Sequence, residues 1–378
     1  MKCFYTTDWL EVYCMWPITE RDHLMGNIVS SETYMIGKDF MFKKRDYGTR
    51  VYSCIADVTY KGQEFMTITY QPLSKIINES ACHVKVTNYW LYTDKWLDIL
   101  KLAFGEFRIK PIQVSRVDIS CDWQYSRSGV SASVLMSKLV KGDYRKIHQP
   151  RWTLHAIDTE KELWYNGMSF GSKKSSCFTR FYNKSLELKE VKDKIYIREC
   201  WEQADLDLDK DVYRVEFQLK ADGRKSIDKS TGAIIDISVD ELIDRQRVQE
   251  LFLYYAAYYF DIRRNDNERK DRSTQVDIFA QSDMDYKAWQ NPRNVISTRT
   301  DKMVLNYIVR KLQEAEHQDT PWGIEEAKAT RNFFAKLYID KTFQKYAYEY
   351  ERQKSAIRVL ARNNSDGENP TDDNQRQK

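Results

Sequence analysis

Three short stretches of this chain place acids, arginines and a tyrosine at every second position. The first is Ser115-Arg116-Val117-Asp118-Ile119-Ser120-Cys121-Asp122-Trp123. In a strand, alternate side chains share a face. Val117, Ile119 and Cys121 therefore point one way, and Arg116, Asp118, Ser120 and Asp122 the other. Residues Tyr213 to Leu219 divide likewise, with Arg214, Glu216 and Gln218 opposite Val215, Phe217 and Leu219. Between them lies the stretch from Phe178 to Lys184, in which Arg180, Tyr182 and Lys184 are expected on one side and Phe181 on the other. Any one segment alone reads as a strand of an antiparallel sheet with one wet face. Together they depart from an ordinary wet face, which favours Thr, Ser and Lys. They offer three acids, with an arginine two residues before Asp118 and before Glu216. Carboxylates crowded on one face repel unless positive charge neutralises them. Two arrangements answer this, and chemistry alone ranks them equal. One is a hard divalent ion, Mg²⁺ or Mn²⁺, held by convergent oxygens. The other is a set of Arg–carboxylate pairs across the strands with no metal.

The surrounding sequence supplies elements to carry these strands. Residues 51–60 and 84–92 are rich in β-branched and aromatic types and predict strands. A helix follows, opened by Thr93 and Asp94, carrying Trp96, Leu97, Leu100 and Phe104 and stopped at Gly105. A second helix is predicted from Ser131 to Val140, closed by Gly142. Strands are expected at 114–123, 152–156, 163–166, 177–183 and 212–219. The order predicts an α+β fold with a central, mainly antiparallel sheet flanked by helices. After about residue 236 the composition turns helical. Ser238 and Glu241 form a capping box before a helix with a broad apolar face, whose Tyr254, Tyr255, Tyr258 and Tyr259 read as core. Residues 263–274 are a charged break, and helical stretches at 300–316 and 324–360 follow. The expected division is therefore 1–235, a helical C-terminal region over 236–362, and a disordered tail over 363–378. No internal repeat is visible.

Composition sets the outer bounds. The 378 residues suffice for a sizeable core, and 42% are hydrophobic. A net charge of +4, from 60 basic and 56 acidic residues, is too weak a bias to name a nucleic-acid partner. Seven scattered cysteines contain no C-x-x-C pair, which points away from a disulfide framework or a zinc site. The N-terminus lacks the apolar run of a signal peptide, and no stretch approaches a membrane span, so the expectation is a soluble, intracellular protein. Lys138, Lys141, Arg145, Lys146 and Arg151, interleaved with Tyr144 and Trp152, make a basic, aromatic stretch suited to phosphates and unstacked bases.

The trio RVDISCD, RFYNKSLE and RVEFQLK, in that order, resembles the replication initiation factor family of rolling-circle plasmids, integrative elements and phages. It is also similar to the replication endonucleases of filamentous phages. The resemblance covers roughly residues 80 to 220 and rests on short motifs. It implies a sheet related to the HUH endonucleases, with acids in place of their two histidines. The five histidines here include no H-x-H pair, in agreement; His155 reads as structural or as an added ligand. By the resemblance, Tyr182 attacks a DNA phosphate to leave a 3′-OH and a 5′-phosphotyrosine, and Lys184 stabilises the phenolate or the phosphorane. Asp118, Asp122 and Glu216 would hold Mg²⁺ or Mn²⁺, while Arg116, Arg180 and Arg214 clamp phosphates or position the acids. Lys173 and Lys174, in a turn ahead of the tyrosine strand, are further phosphate contacts.

The implied function is a rolling-circle replication initiator in the cytoplasm of a bacterial host, nicking and rejoining origin DNA that is single-stranded or extruded as a hairpin. A host helicase and a second copy of the chain are further candidate partners; no membrane is expected. Rejoining needs a second nucleophile, for which Tyr165, Tyr213 or a second subunit are the candidates. Two other readings stand beside this one: a conjugative relaxase with the same chemistry, and a catalytically silent DNA-binding protein on the same fold.

Overall fold

Alternation of apolar and polar side chains along the early chain builds a sheet before it builds anything else. The computed structural model describes residues 1–25, 33–74, 77–149, 151–158, 163–190, 194–228, 234–281 and 286–288. The chain divides into Met1–Trp289 and Gln290–Lys378. The helices expected at 300–316 and 324–360, and the tail, lie outside the described residues.

The chain starts at the centre of the sheet with β1 (Cys3–Met15), runs through helix α1 (Ile18–Met25) to the edge, and returns strand by strand. The returning strands are β2 (Thr33–Ile36), β3 (Phe40–Lys44), β4 (Tyr52–Tyr60), β5 (Gln63–Pro72) and β6 (Ala81–Val86), which lies beside β1. Helices α2 (Asn88–Leu91) and α3 (Trp96–Glu106) follow. The route then repeats on the other side of β1 with β7 (Lys110–Trp123) and α4 (Ala132–Lys141). A short strand, β8 (Tyr144–Lys146), leads to the far edge at β9 (Trp152–Asp158), and β10 (Leu163–Phe170) and β11 (Cys177–Asn183) come back. Helices α5 (Lys184–Glu190) and α6 (Ile195–Gln203) precede β12 (Tyr213–Lys220), which slots in beside β7. The described strands thus form an antiparallel sheet of eleven, in the order β2-β3-β4-β5-β6-β1-β7-β12-β11-β10-β9. Beyond it, β13 (Lys225–Asp228) pairs with β14 (Ile234–Asp236) and β16 (Tyr286–Ala288), and β15 (Ile262–Arg264), which runs into the start of the expected charged break, pairs with β8. The architecture is α+β with a mainly antiparallel sheet.

One face of the sheet is the core. Leu10, Val12, Val84, Val117, Ile119, Val215, Phe217 and Phe181 point into it and are buried. Helix α3 covers the first half with Leu97, Leu100 and Phe104. The second half and the centre are covered by α7 (Arg245–Tyr259), whose Phe252 ring meets Phe217 at 5.1 Å and Tyr5 at 5.4 Å between centroids. Of the tyrosine stripe on α7, Tyr255 is buried in this core, and the exposed Tyr258 stacks on His148 at 4.0 Å.

Local signals act as the sequence suggests in some places and differ in others. Ser131 caps α4, its Oγ accepting from the Val134 N–H, and Gly142 ends the helix at φ 83°, a conformation that glycine adopts without strain. The Ser238–Glu241 box forms but closes a single 3₁₀ turn; α7 is capped by Asp244, which accepts from the Gln246 and Arg247 N–H groups. The strand expected over 84–92 stops at Val86, because Asn88 turns back to donate to the Asp8 backbone carbonyl at 2.6 Å. Likewise, Lys184 does not continue the tyrosine strand. Asn183 Oδ1 accepts from the Leu186 N–H at 2.9 Å and so starts α5 at Lys184. Among the described residues no helix is long and apolar enough to cross a membrane.

Candidate active site

The three chemically unusual segments become neighbouring strands, in the order β7, β12, β11. On the face away from the core, Asp118 lies opposite Gln218, Ser120 opposite Glu216, and Asp122 opposite Arg214. Across the next pair, Glu216 lies opposite Arg180, and Arg214 opposite Tyr182. All the predicted acids and arginines therefore share one sheet face. They separate into two clusters.

The first holds Asp118, Glu216, Arg116, Arg180 and Tyr182. Asp118 is 1% exposed and Glu216 fully buried. Arg116 grips Asp118 with two parallel bonds, Nε to Oδ1 at 2.8 Å and Nη2 to Oδ2 at 2.6 Å. The Gln218 amide, turned so that its oxygen faces Arg116, accepts from the same Nε at 2.8 Å. Arg180 donates to Glu216 Oε1 and lies 4.0 Å from Asp118 Oδ2, so it bridges the two acids. Its side chain is 41% exposed and forms the solvent-facing edge of the cluster. Burial pushes the Asp118 carboxyl up, Arg116 pulls it back, and the Glu216 charge adds to the rise, leaving it at about 8. For Arg180 burial acts to weaken the guanidinium's hold on its proton, and the charges of Glu216, Tyr182 and Asp118, with the hydrogen bond to Glu216, together more than reverse this.

Tyr182 completes this cluster. Its hydroxyl donates to Glu216 Oε2 at 3.2 Å, and its ring lies under two cations, Arg180 and Lys184, each 5.6 Å from the centroid. Burial, then the Glu216 charge, hold the phenol well above its usual pKa. Lys184, although it opens α5, still reaches Tyr182; it is 2% exposed and pairs with Glu187. Room for the tyrosine comes from Gly167, its direct partner on β10. A Cβ built at Gly167 would come within 2.7 Å of the Tyr182 Cβ. A glycine inside a strand marks such a close approach, and Gly167 in LWYNGMSF was readable as that signal.

The second cluster is sealed. Arg214 is fully buried, with Nε donating to Asp122 Oδ1 at 2.6 Å and Nη2 to Asp122 Oδ2 at 2.7 Å. It also donates through Nη1 to Asp8 at 2.6 Å and through Nη2 to the Tyr92 hydroxyl at 2.9 Å. Trp201 Nε1 donates to Asp122 Oδ2 at 2.7 Å. Asp8 sits where β1 shifts register between Thr7 and Trp9, and also accepts from the Tyr92 hydroxyl and Asn88. Burial pushes Asp8 up, but the Arg214 and Lys184 charges hold it well below the usual carboxylate range. Above lies a small second core of Phe4, Tyr92, Leu188, Ile197, Trp201, Leu206 and Val212. Sequence reasoning missed Asp8, Tyr92 and Trp201, which come from outside the motifs.

Two expectations are corrected by this geometry. Arg214 clamps no phosphate, because its guanidinium is fully buried and bonded to protein acceptors. Asp118, Asp122 and Glu216 do not form one ligand set. Asp118 and Asp122 are four residues apart on one strand, about 13 Å at ~3.3 Å per residue, and Asp122 spends both oxygens on Arg214 and Trp201. Among the described residues no three His, Cys, Asp or Glu side chains are grouped as metal ligands. Asp118 and Glu216 do adjoin, and two crowded, buried carboxylates are a donor set that suits a hard cation. The other predicted residues lie apart. Lys173 and Lys174 are exposed in the turn between β10 and β11. His155 shares the wet face and lies 3.2 Å from Ser169 Oγ. Tyr165 and Tyr213 pack with the core and do not accompany Tyr182. Within the basic stretch, Arg145 and Lys146 are bound internally, to Asn267 and Ser273 and to His148 and Gln149.

No protein-family model matches the chain, and no curated protein matches it. Among solved structures it is similar to a rolling circle replication initiator protein from Geobacillus stearothermophilus, with 15% identity, a TM-score of 0.39, and coverage of 72% of this chain and 92% of that one. A likeness at that level carries neither fold nor function from one protein to the other.

Two substitutions test the geometry through stability alone. Arg214→Ala leaves Asp122 and Asp8 buried without their cation and should cost about 3–5 kcal/mol in urea denaturation; a loss below about 1 kcal/mol would contradict the sealed network. Gly167→Ala forces a methyl against Tyr182 and should cost about 1–3 kcal/mol by overpacking, whereas an unchanged or raised stability would show that the two strands are not so closely apposed.

Proposed function

We propose that this chain is a tyrosine-using DNA nickase and strand transferase that initiates rolling-circle replication. The observation that carries the reading is the Tyr182 hydroxyl on Glu216, beneath Arg180 and beside a second buried acid, on strands bearing the three motifs. A phenol held neutral must lose its proton as its oxygen attacks. Glu216 is placed to accept it. The Tyr182 oxygen then bonds to phosphorus, the bond from phosphorus to the 3′ oxygen breaks, and that oxygen takes up the proton that Glu216 received. The products are a 3′-OH and a 5′-phosphotyrosine, and atoms and charge balance. Because the phosphodiester is exchanged rather than hydrolysed, the same steps in reverse rejoin a strand.

Arg180, the exposed cation of the cluster, receives the phosphate and the negative charge that builds on it. Lys184, over the Tyr182 ring, favours the developing phenolate. Arg116 positions Asp118. A divalent cation, Mg²⁺ or Mn²⁺, is proposed at Asp118 and Glu216; when bound it would polarise the scissile phosphate. The substrate is origin DNA presented as a single strand or extruded hairpin, and the host compartment is the bacterial cytoplasm. A second copy of the chain would supply the second nucleophile, since Tyr165 and Tyr213 face the core.

A second reading, a DNA-binding protein without catalysis, is favoured by one observation: Asp118 and Glu216 each already hold an arginine. Nicking of supercoiled origin DNA, with Mn²⁺ or Mg²⁺ against EDTA, separates the two. The nickase should give open circles only with metal, and Tyr182→Phe should lower the rate at least about a thousandfold while leaving DNA binding intact. Binding without nicking by the wild type in either metal would favour the second reading.

A further inference from the structure

The wet face continues past the catalytic cluster onto β1 and β6, and the residues there are also unusual. Trp9 lies opposite Asp118, and Glu11 lies opposite Arg116 on one side and Lys85 on the other. The Trp9 ring carries two cations, the Lys85 ammonium 3.6 Å and the Arg116 guanidinium 4.2 Å from its centroid. Arg116 spends its donors on Asp118 and Gln218, and the Trp9 N–H goes to Glu11 at 2.9 Å. Lys85 differs. It is half-buried, yet among the described residues its ammonium donates to no oxygen and forms no ion pair. An ammonium partly stripped of water, resting on a π face and lacking an acceptor, is set to receive an anion. Burial accordingly lowers its pKa, against the pull of Glu11 and with that of Arg116 and Arg45.

Further along the same strands, the half-buried His83 meets the half-buried Tyr13 ring at 5.4 Å, and the Tyr52 ring of β4, 5.6 Å from His83, is buried. A cation followed by half-buried aromatic rings on one sheet face suits a sugar–phosphate backbone with its bases unstacked. We propose that β1 and β6 form a second binding subsite, in which Lys85, seated on Trp9, holds a phosphate of the single strand flanking the scissile bond, and His83 and Tyr13 lie along its bases. This subsite rests on the nickase reading, because the strand it binds is the one that enters the Tyr182 cluster. Since Trp9 contacts both Lys85 and the arginine that holds Asp118, the subsite and the catalytic cluster share a side chain.

The test is the salt dependence of binding of the full chain to a short fluorescein-labelled oligo(dT), followed by anisotropy. Each lysine–phosphate pair formed with a single strand adds about 0.7 to the steepness of log affinity against log salt. Lys85→Gln should flatten the slope by that amount with several-fold weaker binding, Lys85→Arg should restore it, and thermal melts of both should match the wild type. Lys101, exposed on α3 and paired with Asp240, is the control, and Lys101→Gln should bind as the wild type. A wild-type slope in Lys85→Gln, or an equal flattening in Lys101→Gln, would overturn the subsite while leaving the nickase reading intact. Failure of the wild type itself to bind the oligonucleotide would overturn both.

Discussion

A guanidinium with no exposure to water must find its acceptors within the protein, and Arg214 finds them on three separate elements. It holds Asp122 on β7, Asp8 on β1 and the Tyr92 hydroxyl just past α2. The bonds tie β12 to the two strands at the centre of the sheet and fix which residues face each other. With Arg214 opposite Asp122, Glu216 must fall opposite Ser120, diagonal to Asp118. The same network holds the irregularity at Asp8, after which Trp9 stands opposite Asp118. Breaking such a buried set strands charges in a place without water, so the register is strongly specified.

The wet face therefore divides its labour. At one end, α6 and the second core close over Asp122 and Arg214, and their charges serve architecture. At the other, Asp118 and Glu216 are equally buried from below but meet solvent through Arg180. Two acids held this close need cations near them, and even so burial and the Glu216 charge push Asp118 up to about 8. Arg116 and Arg180 meet that requirement in the resting chain, and only Arg180 faces outward where a phosphate would arrive. Tyr182 lies between the two ends, reached by Glu216 from one side and by Lys184 from the other.

Much of this is legible in the sequence because a strand's period of two is strict. Alternation alone assigns Asp118, Glu216, Arg180 and Tyr182 to a shared face, and the caps at Ser131 and Gly142 mark the ends of α4. Alternation says which side a residue faces, however, and little about how far along the sheet it sits. Asp118 and Asp122 share a face yet belong to different clusters, which only the strand's rise reveals. Lys184 reads as strand because nothing in the motif shows that Asn183 caps a helix. Arg214 reads as a phosphate clamp because its acceptors Asp8 and Tyr92 lie more than a hundred residues away. The repeated route of the chain through the two halves of the sheet also leaves no visible trace in sequence, since the halves share a path and not their side chains.

The central claim is that the Tyr182 oxygen forms the bond to phosphorus. The most direct measurement is to trap the wild-type chain on origin DNA in Mn²⁺, digest the adduct with nuclease and trypsin, and locate the nucleotide by mass spectrometry. Cleavage after Arg180 and after Lys184 releases a fragment of Phe181, Tyr182, Asn183 and Lys184. The phosphoryl mass is expected on that fragment, at Tyr182. A phosphoryl group on any of the other tyrosines would contradict it.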